Sequence, residues 1–529
     1  MFDLIIQQAF LIDGTGKPGW TGDLAITNGK IAGLEPSINA EAARYINGKG
    51  LTLCPGFLDP HSHWDATHLH GKHGEIKLRQ GVCLDVVGNC GESLTPCTID
   101  NCGDIEQFFP GPDNRIIPRS FSQYCTELDA AQPGLRVMSH IGHGTLRLLA
   151  MGYSAEPPDH KQLTRMKEEL RLALDQGAAG LSTGLYYTPS GFADSNELQA
   201  LMEVVVLKEG FHASHIRNEA SGILEALKEV ITVGLKTGVA THISHLKLAG
   251  RNNWDKIDKV IETFETARNR GLDLTCDVYP YHHSCTSLLS LIPPWALEGG
   301  IDRFCERLND IELKEQIRHQ VRNGYPGWES GVQNSGFEGI TISSVHSGKR
   351  QNLVGFSLAE SADKAAMAPE DYVIDLIEKE SGAVSIICAS MDEEVVAEFI
   401  RLPFAVIGSD GALSQGKPHP RAFGAFPRVI RRFVRELKVL RLEEAIAKMT
   451  GKTAQRLGLD DCGRLSMGLR ADLVLFNPET FGDTATYDTP CQPPVGIHHL
   501  FVEGKQAWPP TQGSKNVQGG FCPAPHSRM

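Results

Sequence analysis

Short hydrophobic runs separated by tight turns open the chain. Asn28 and Gly29 form a dipeptide that favours a two-residue hairpin turn, and strand-like runs lie on both sides of it. The pattern predicts a small β unit at residues 1–54, with strands at residues 2–7, 9–12, 22–26 and 30–34.

From residue 55 onward, strand-like runs alternate with amphipathic helical segments. In segment 160–176, Leu163, Met166, Leu170 and Leu174 recur at intervals of three and four, as on a helix that covers a sheet. This repetition predicts a parallel α/β barrel, in which functional residues lie at the carboxyl ends of the strands. The eight strand-like runs are residues 55–59, 82–89, 135–141, 178–185, 210–215, 240–245, 272–278 and 404–409.

A long insertion, at about residues 285–385, separates the seventh and eighth of these strands. It opens on a helical stretch after Pro293 and Pro294 and contains a strand-like run at 339–345. Insertions on the catalytic side of a barrel commonly form a lid or a side-chain pocket, although this one could also be purely structural.

After residue 450 the chain returns to short strands, at 471–476 and 499–504. The simplest packing joins them to the N-terminal strands in one β-sandwich, which brings the two chain ends together. We therefore predict a barrel domain over residues 55–450 and the C-terminal part of the sandwich over 451–508. The tail 509–529 is rich in Gly, Pro and Ser and is expected to be loosely ordered.

The composition is that of an ordinary globular protein, with 41% hydrophobic and 22% charged residues. A formal net charge of -13 argues against a nucleic-acid partner. Thirteen cysteines without paired spacing, and no recognisable signal peptide, indicate reduced thiols and a cytoplasmic protein. No apolar segment approaches the roughly 20 residues that span a bilayer, so no membrane association is expected. The sequence does not indicate the oligomeric state.

Residues that bind metals follow several of the predicted strands. His61 and His63 stand two positions apart at the end of the first strand, so both imidazoles face the same side. Histidine nitrogens, a thiolate and a carboxylate together are typical of a zinc site. The candidate metal ligands are His61, His63, Cys90, His215, His245 and Asp410.

Several longer motifs resemble the D-aminoacylase family, the N-acyl-D-amino-acid deacylases of the amidohydrolase superfamily. The most specific are Gly-Asn-Cys-Gly at 88–91 and His-Pro-Arg at 419–421. Others are Pro-Gly-Phe-Leu-Asp-Pro-His-Ser-His at 55–63, Gly-His-Gly-Thr-Leu-Arg at 142–147, His-Ile-Arg-Asn-Glu at 215–219, Ser-His-Leu-Lys at 244–247 and Gly-Ser-Asp-Gly at 408–411.

The resemblance implies an imperfect (β/α)8 TIM barrel with a small β-sandwich built from both chain termini. It implies that Cys90, His215 and His245 hold one tightly bound Zn²⁺, while His61, His63 and Asp410 form an adjoining half that can hold a second, weaker metal ion. Many members of the superfamily bridge two metals with a carboxylated lysine after the fourth strand. Residues 182–184 contain no lysine, and Cys90 would take the bridging position.

The implied reaction is hydrolysis of an N-acyl-D-amino acid to a carboxylate and a free D-amino acid. Metal-activated water would attack the amide, with Asp410 as general base and then general acid. The substrate's own carboxylate needs a cation, and Arg421 and Lys247 are the candidates. Tyr187 and Tyr281 are candidates for hydroxyl hydrogen bonds to the substrate.

Two alternatives stay open from the sequence. A cyclic-amide hydrolase of the dihydroorotase or hydantoinase type would use the same barrel, but the missing lysine counts against it. A non-enzymatic protein should have lost some ligands, whereas all six positions are filled. The acyl group, the D-amino acid side chain and the number of working metals are not indicated. Trp64, His282 and His283 depart from the family pattern, which leaves the side-chain preference open.

Overall fold

The computed structural model describes residues 1–70, 74–109, 116–510 and 519–528. In chain order its strands are β1 (Leu4–Leu11), β2 (Trp20–Thr27), β3 (Lys30–Glu35), β4 (Tyr45–Asn47), β5 (Thr52–Pro55), β6 (Phe57–Asp59), β7 (Val82–Val87), β8 (Arg136–Ser139), β9 (Ile141–Gly142), β10 (Gly180–Gly184), β11 (Phe211–His215), β12 (Ala240–Ile243), β13 (Leu274–Val278), β14 (Ser284–Ser287), β15 (Ile340–Val345), β16 (Val384–Cys388), β17 (Ala405–Ile407), β18 (Leu473–Phe476), β19 (Ile497–Val502), β20 (Lys505–Trp508) and β21 (Gly520–Phe521).

Most of the helices follow barrel strands, and others belong to the insertion. They are α1 (Asp65–Leu69), α2 (Gly74–Leu78), α3 (Cys102–Glu106), α4 (Phe121–Ala131), α5 (His143–Met151), α6 (His160–Asp175), α7 (Ser195–Leu207), α8 (Ile223–Thr237), α9 (Ile257–Asn269), α10 (Gly300–Arg307), α11 (Ile311–Asn323), α12 (Gly331–Ser335), α13 (Leu358–Lys364), α14 (Pro369–Lys379), α15 (Glu393–Arg401), α16 (Arg421–Arg428), α17 (Leu442–Met449) and α18 (Gly451–Arg456).

The amphipathic pattern that predicted α6 reappears in its packing. Asp159 caps the helix by accepting a hydrogen bond from the Gln162 backbone N–H, and the Gln162 side chain accepts in return from Asp159 N–H. Met166, Leu170 and Leu174 are buried. Their three- and four-residue spacing therefore holds one face of the helix against the barrel.

The barrel strands pair in parallel in two sheets, ordered β6–β7–β8 and β9–β10–β11–β12–β13–β17. The third strand is split into β8 and β9 at His140, which is why the barrel is imperfect. The predicted imperfect (β/α)8 TIM barrel with an insertion before the last barrel strand is confirmed, and the strands predicted to form a small β-sandwich from both chain termini form a separate sheet unit.

The barrel closes between β6 and β17 just beyond the two strands. An isolated parallel bridge joins Ser62 to Gly411, and the Asp410 N–H donates to the His61 carbonyl over 2.8 Å. The Asp59 carboxylate accepts from the Ser409 N–H over 2.9 Å. One buried side chain thus completes the closure that backbone pairing begins.

Strands from both chain ends form one hydrogen-bonded sheet beside the barrel. Its order is β20–β19–β18–β5–β1–β2–β3, with β4 also paired to β1. An isolated bridge joins Lys30 of β3 to Arg470, just before β18, and the unit has its own apolar core. The chain termini therefore meet in a single structural unit.

The insertion folds around a second apolar core. Strands β14, β16 and β15 form an antiparallel sheet in that order, and helices α10 to α14 pack with it. This sheet leads into the barrel mouth, because β14 follows β13 directly and β16 precedes the last barrel strand.

The C-terminal tail is better packed than its composition suggested. Strand β21 pairs in parallel with β8 on the edge that faces away from β7. Cys522 and Ala524 are buried, and the Cys522 N–H donates to the Val137 carbonyl over 2.7 Å. The expectation of a loose tail is therefore wrong for residues 519–526, because the split in the third strand leaves an edge that needs a partner. Residues 511–518 lie outside the described part of the chain.

Among the helices of the described residues, none is long and apolar enough to cross a membrane.

Candidate metal centre and active site

The predicted ligands come together at the carboxyl ends of the barrel strands. His61 and His63 follow β6, Cys90 follows β7, and His215 is the last residue of β11. His245 lies just beyond β12 and Asp410 just beyond β17. All but His63 are buried, so the centre lies inside the barrel mouth.

Three of these residues have backbone conformations that side-chain-bearing residues rarely adopt. The φ angles of Cys90, His245 and Asp410 are 54°, 36° and 48°. Such left-handed geometry is strained for residues other than glycine, and it concentrates at functional sites. Here the sharp turn after each strand directs the side chain into the barrel mouth.

One group of ligand atoms combines His61, Cys90, His245 and Asp410, whose ligand atoms lie within 4.8 Å of one another. The Cys90 Sγ atom is 3.4 Å from His61 Nε2 and 3.3 Å from His245 Nε2. Asp410 Oδ1 is 3.4 Å from His61 Nε2 and 3.1 Å from His63 Nε2. Cys90 thus lies between the two halves of the predicted centre.

A second group shares His245 and adds His215 and Glu219. His215 Nε2 lies 3.4 Å from Glu219 Oε2, and His245 Nδ1 lies 3.1 Å from Glu219 Oε1. Neither ring nitrogen of buried His215 has a hydrogen-bond partner among the described residues. A buried imidazole that makes no hydrogen bond, beside another imidazole and a carboxylate, fits a bound metal ion such as zinc.

Asp277 orients two of the proposed ligands from the end of β13. Its Oδ2 atom lies 3.2 Å from His61 Nδ1, and its Oδ1 atom accepts from the His245 N–H over 3.0 Å. A carboxylate on Nδ1 fixes the tautomer that leaves Nε2 free for a metal. Burial raises the pKa of Asp277, but the neighbouring His61 and His242 lower it far more, so it stays ionised.

A buried ion network lies beneath His61. Lys77 Nζ donates to Asp59 over 2.5 Å, to Asp85 over 3.1 Å and to the Ser409 hydroxyl over 3.2 Å. His68 Nε2 lies 2.8 Å from the other Asp85 oxygen. This network fixes Asp59 and, through it, the two segments that carry His61 and Asp410.

Asp410 forms an ion pair with Arg421, whose Nη1 atom lies 2.7 Å from Asp410 Oδ2. Burial works to raise the pKa of Asp410, but Arg421 and the nearby histidines hold it well below its usual range. Arg421 also donates to the Cys285 carbonyl and lies over the Tyr279 ring. Its buried Nε has no hydrogen-bond partner among the described residues, so donor capacity remains for a ligand.

Lys247 lines the same cavity but is already engaged. Its Nζ atom lies 2.6 Å from Glu219 Oε1 and 2.7 Å from His245 Nδ1. Burial raises the pKa of Glu219, and the Lys247 charge and the two histidines more than reverse the shift. Lys247 is thus paired with Glu219 as Arg421 is paired with Asp410, and Arg421 differs in that its Nε has no hydrogen-bond partner among the described residues.

The two predicted tyrosines differ in position. Tyr187 lines the cavity, and its hydroxyl lies 2.9 Å from the Thr286 hydroxyl. Tyr281 does not line it: its hydroxyl donates to the Pro420 carbonyl, and its ring contacts His419 and Arg428. Tyr279, which follows β13 directly, lines the cavity instead, and the substrate contacts of the tyrosines remain a prediction.

The three departures from the family pattern lie outside the cavity lining. Trp64 is fully buried beneath the Lys77 ammonium, and His282 and His283 pack against Tyr487. None of the three contributes to the cavity wall among the described residues.

Comparison with known proteins places this site in a family. The amidohydrolase family model matches residues 366–507. The chain is 33% identical over 507 residues to the N-acyl-D-glutamate deacylase of Alcaligenes xylosoxydans xylosoxydans, a match that covers 96% of this chain and 94% of that protein. The chain belongs to the D-aminoacylase family of amidohydrolases.

Solved structures agree with this assignment to the D-aminoacylase family. The crystal structure of N-acyl-D-glutamate deacylase from Bordetella bronchiseptica, complexed with zinc and a phosphonate mimic of the tetrahedral intermediate, matches 99% of both chains, with a TM-score of 0.84 and 30% identity. A D-hydantoinase structure matches 98% of both chains, with a TM-score of 0.56 and 14% identity, which shows a shared fold alone. The cyclic-amide alternative is therefore the weaker one.

Several residues of the site carried no sequence signal of their own role. Glu219 stands inside the motif at 215–219, and Asp277 and Tyr279 lie at the end of the seventh predicted strand, but periodicity assigns none of them a partner. Their position after a strand was the available clue. Glu329 comes from the insertion and accepts from the Glu219 N–H, which no local pattern indicates.

We expect Asp277→Asn to weaken zinc binding at the half of the centre that contains His61 by roughly 10–100-fold, because the amide no longer fixes His61 in its metal-binding tautomer. Zinc affinity is measured by chelator competition, and circular dichroism checks folding. Asp273→Asn is the matched control, since its exposed side chain precedes the same strand and pairs with Arg456, away from the proposed ligands. Wild-type affinity in Asp277→Asn would remove Asp277 from this role.

Proposed function

We propose that this chain is a zinc-dependent N-acyl-D-amino-acid deacylase. It hydrolyses the amide bond of a linear N-acyl-D-amino acid and releases a carboxylate and a free D-amino acid. The observation that carries the proposal is the convergence of Cys90, His245 and Asp410 with the Arg421 guanidinium in one buried site. Family membership supports the reaction type.

Cys90, His215 and His245 would hold the tightly bound zinc ion, and His61, His63 and Asp410 the adjoining half of the centre. Burial, followed by the charge of Asp410, raises the pKa of the Cys90 thiol. A thiolate there thus depends on a nearby cation, as a metal site requires. Zinc, when bound, supplies a hydroxide nucleophile at neutral pH and polarises a carbonyl group.

Asp410 has the charge state and the location of the general base. Its Oδ1 atom lies 3.4 Å from His61 Nε2 and 3.1 Å from His63 Nε2, so the carboxylate can take a proton from a water molecule that attacks at this centre as the new C–O bond forms. The same carboxyl group then returns the proton to the amide nitrogen, and the C–N bond breaks with a neutral amine as leaving group. His63, 3.1 Å from Asp410 Oδ1, holds the carboxylate in position.

Arg421 supplies the complementary group for the substrate carboxylate. A guanidinium binds carboxylates through paired donors, and Arg421 is held within the cavity by Tyr279 and by Asp410. The third donor of Lys247 and the Tyr187 hydroxyl are further candidates for substrate contacts. Arg421 thus connects carboxylate recognition to the proposed base.

Binding at two ends of the substrate makes the site selective for one enantiomer. The metal centre would hold the scissile amide and Arg421 the carboxylate, which together fix two substituents of the α-carbon. Only one hand can then direct its side chain toward the open cavity. The family supplies which hand, namely D.

The direct test is a panel of N-acetyl-D- and N-acetyl-L-amino acids with zinc-loaded enzyme. We expect hydrolysis of the D series and a much lower kcat/KM for the matching L compounds, because the side chain of the L enantiomer points into the wall. Release of free amino acid is the measurement. A preference for the L series, or for cyclic ureides such as hydantoins, would overturn the proposal.

Asp410→Asn should lower kcat by roughly 10²–10⁴-fold, the usual contribution of general acid–base catalysis. The amide cannot accept the proton, whereas Cys90, His215 and His245 still retain the tightly bound metal. Zinc content is therefore measured beside kcat. Near-native turnover in a zinc-loaded variant would exclude Asp410 as the base.

Arg421→Ala should lower kcat/KM for N-acyl amino acids. The loss of transition-state stabilisation should be about 1.5–3 kcal/mol, the value of a charge-assisted hydrogen bond. An N-acyl amine without a carboxylate, a poor substrate, should be hydrolysed about as poorly as before. Arg428→Ala is the matched control, because this arginine of the same helix contacts Tyr281 outside the cavity. Equal losses on both substrate types would show that Arg421 acts on Asp410 alone.

A further inference from the structure

Two tyrosine rings contact the proposed metal ligand His215. The Tyr186 ring stacks on the His215 ring, with 5.5 Å between centroids and an interplanar angle of 4°, and the Tyr187 ring meets it edge-on at 4.9 Å. The two tyrosine rings also contact each other edge-on, with centroids 5.0 Å apart. The His215 Nε2 atom lies 3.4 Å from Glu219 Oε2, which is longer than an ordinary N–H···O hydrogen bond. Ring contacts therefore hold the plane of this imidazole.

Both tyrosines belong to a turn at residues 184–190, at the end of β10. The Tyr187 N–H donates to the Gly184 carbonyl over 2.8 Å, which closes the first part of the turn. The Ser190 hydroxyl oxygen is buried and accepts from the Gly184 N–H over 3.3 Å. Ser190 thus connects the end of the turn with its beginning.

A buried chain of hydrogen bonds holds Ser190 in turn. The Nδ1 atom of His143 lies 2.6 Å from the Ser190 hydroxyl oxygen, and its Nε2 atom lies 2.8 Å from Glu197 Oε1. Arg147 donates to the other Glu197 oxygen over 2.5 Å. Burial raises the pKa of Glu197, but His143 and Arg147 together lower it below its usual value. An ionised carboxylate only accepts hydrogen bonds, so His143 Nε2 carries a proton and the histidine is fixed at both ring nitrogens.

Serine, histidine and a carboxylate in this order also occur in hydrolytic triads. A nucleophile must reach its substrate, whereas Ser190 is 2% exposed and lies outside the cavity lining given by the described residues. Tyr186 and Tyr187, which the same turn carries, do line the cavity. The arrangement is therefore suited to holding the turn, and the tyrosines connect it to the metal centre.

We propose that His143 is a positioning residue for the tightly binding half of the metal centre. Through Ser190 it fixes the turn that holds Tyr186 and Tyr187 against His215. The proposal rests on the proposed function and deepens it, because it takes His215 as a zinc ligand. Replacing a residue that orients a metal ligand typically changes metal affinity by about 10–100-fold. Affinity for the tightly bound zinc ion should therefore depend on a serine and a histidine that do not contact it.

The first test is Ser190→Ala, which breaks the chain of hydrogen bonds at its contact with the turn. Affinity of the tight site for zinc, measured by chelator competition, should fall by about threefold or more, because Ser190 acts on the ligand through the tyrosine rings. The visible absorption of the Co²⁺-substituted protein should change as well, since it depends on ligand geometry. Ser195→Ala, at an exposed serine that begins α7, is the matched control and should leave both unchanged. A lower Tm in Ser190→Ala, with wild-type zinc affinity and Co²⁺ absorption, would show a purely structural role and overturn the proposal.

Variants of Tyr186 test the second link. Tyr186→Leu removes the stacked ring and should lower zinc affinity by about tenfold. Tyr186→Phe keeps the ring and loses the 3.4 Å hydrogen bond to the Ser290 carbonyl, so it should bind zinc as the wild type does. In the double variant Ser190→Ala/Tyr186→Leu, the loss should be smaller than the product of the two single losses, because both changes act on the same ring contact.

Two results with the Tyr186 variants would contradict the proposal: wild-type zinc affinity in folded Tyr186→Leu, or single losses that multiply in the double variant. Circular dichroism and Tm check that each variant folds. A wild-type protein that binds no zinc would overturn the proposed function itself, before any variant is compared.

Discussion

The Asp59 carboxylate is the point on which the barrel and its metal centre both depend. It accepts the backbone N–H of Ser409 from beyond the eighth strand, and Lys77 neutralises it inside the core. In the described residues, backbone contact between the segments that follow the first and eighth strands consists of the Ser62–Gly411 bridge and the hydrogen bonds around it, such as that from Asp410 N–H to the His61 carbonyl. Removing one partner of such a buried pair leaves an uncompensated charge, which is strongly destabilising. The closure of the barrel between β6 and β17 therefore depends on side chains.

The same closure positions the proposed active-site residues. His61 and His63 follow β6 and Asp410 follows β17, so the proposed ligands and the proposed base meet because the barrel is closed between these strands. Asp277 then connects this half to His245 through a backbone hydrogen bond and to His61 through its ring. Fold stability and ligand geometry are thus coupled through a few buried carboxylates.

Periodicity was sufficient for the barrel, since strands and covering helices differ in spacing, and the proposed ligands follow strand ends. Periodicity could not show that Tyr279 rather than Tyr281 lines the cavity, because the turn after β13 decides which ring faces it. Nor could it show that Lys247 is neutralised by Glu219, a contact between two different strand ends. The packed tail was missed because its composition resembles that of a loose segment, whereas its partner edge arises only from the split third strand.

The shared terminal sheet has a consequence for how the chain is made. Strand β5 pairs with β18, so the edge of residues 52–55 that β18 covers stays open until residues 473–476 have been synthesised. During synthesis, which proceeds from the N-terminus at about 5–20 residues per second, the first strands spend tens of seconds with an open edge. The ribosome thus releases most of the barrel before the sheet beside it can be completed, and nascent chains at high concentration are exposed to edge-to-edge association in that interval.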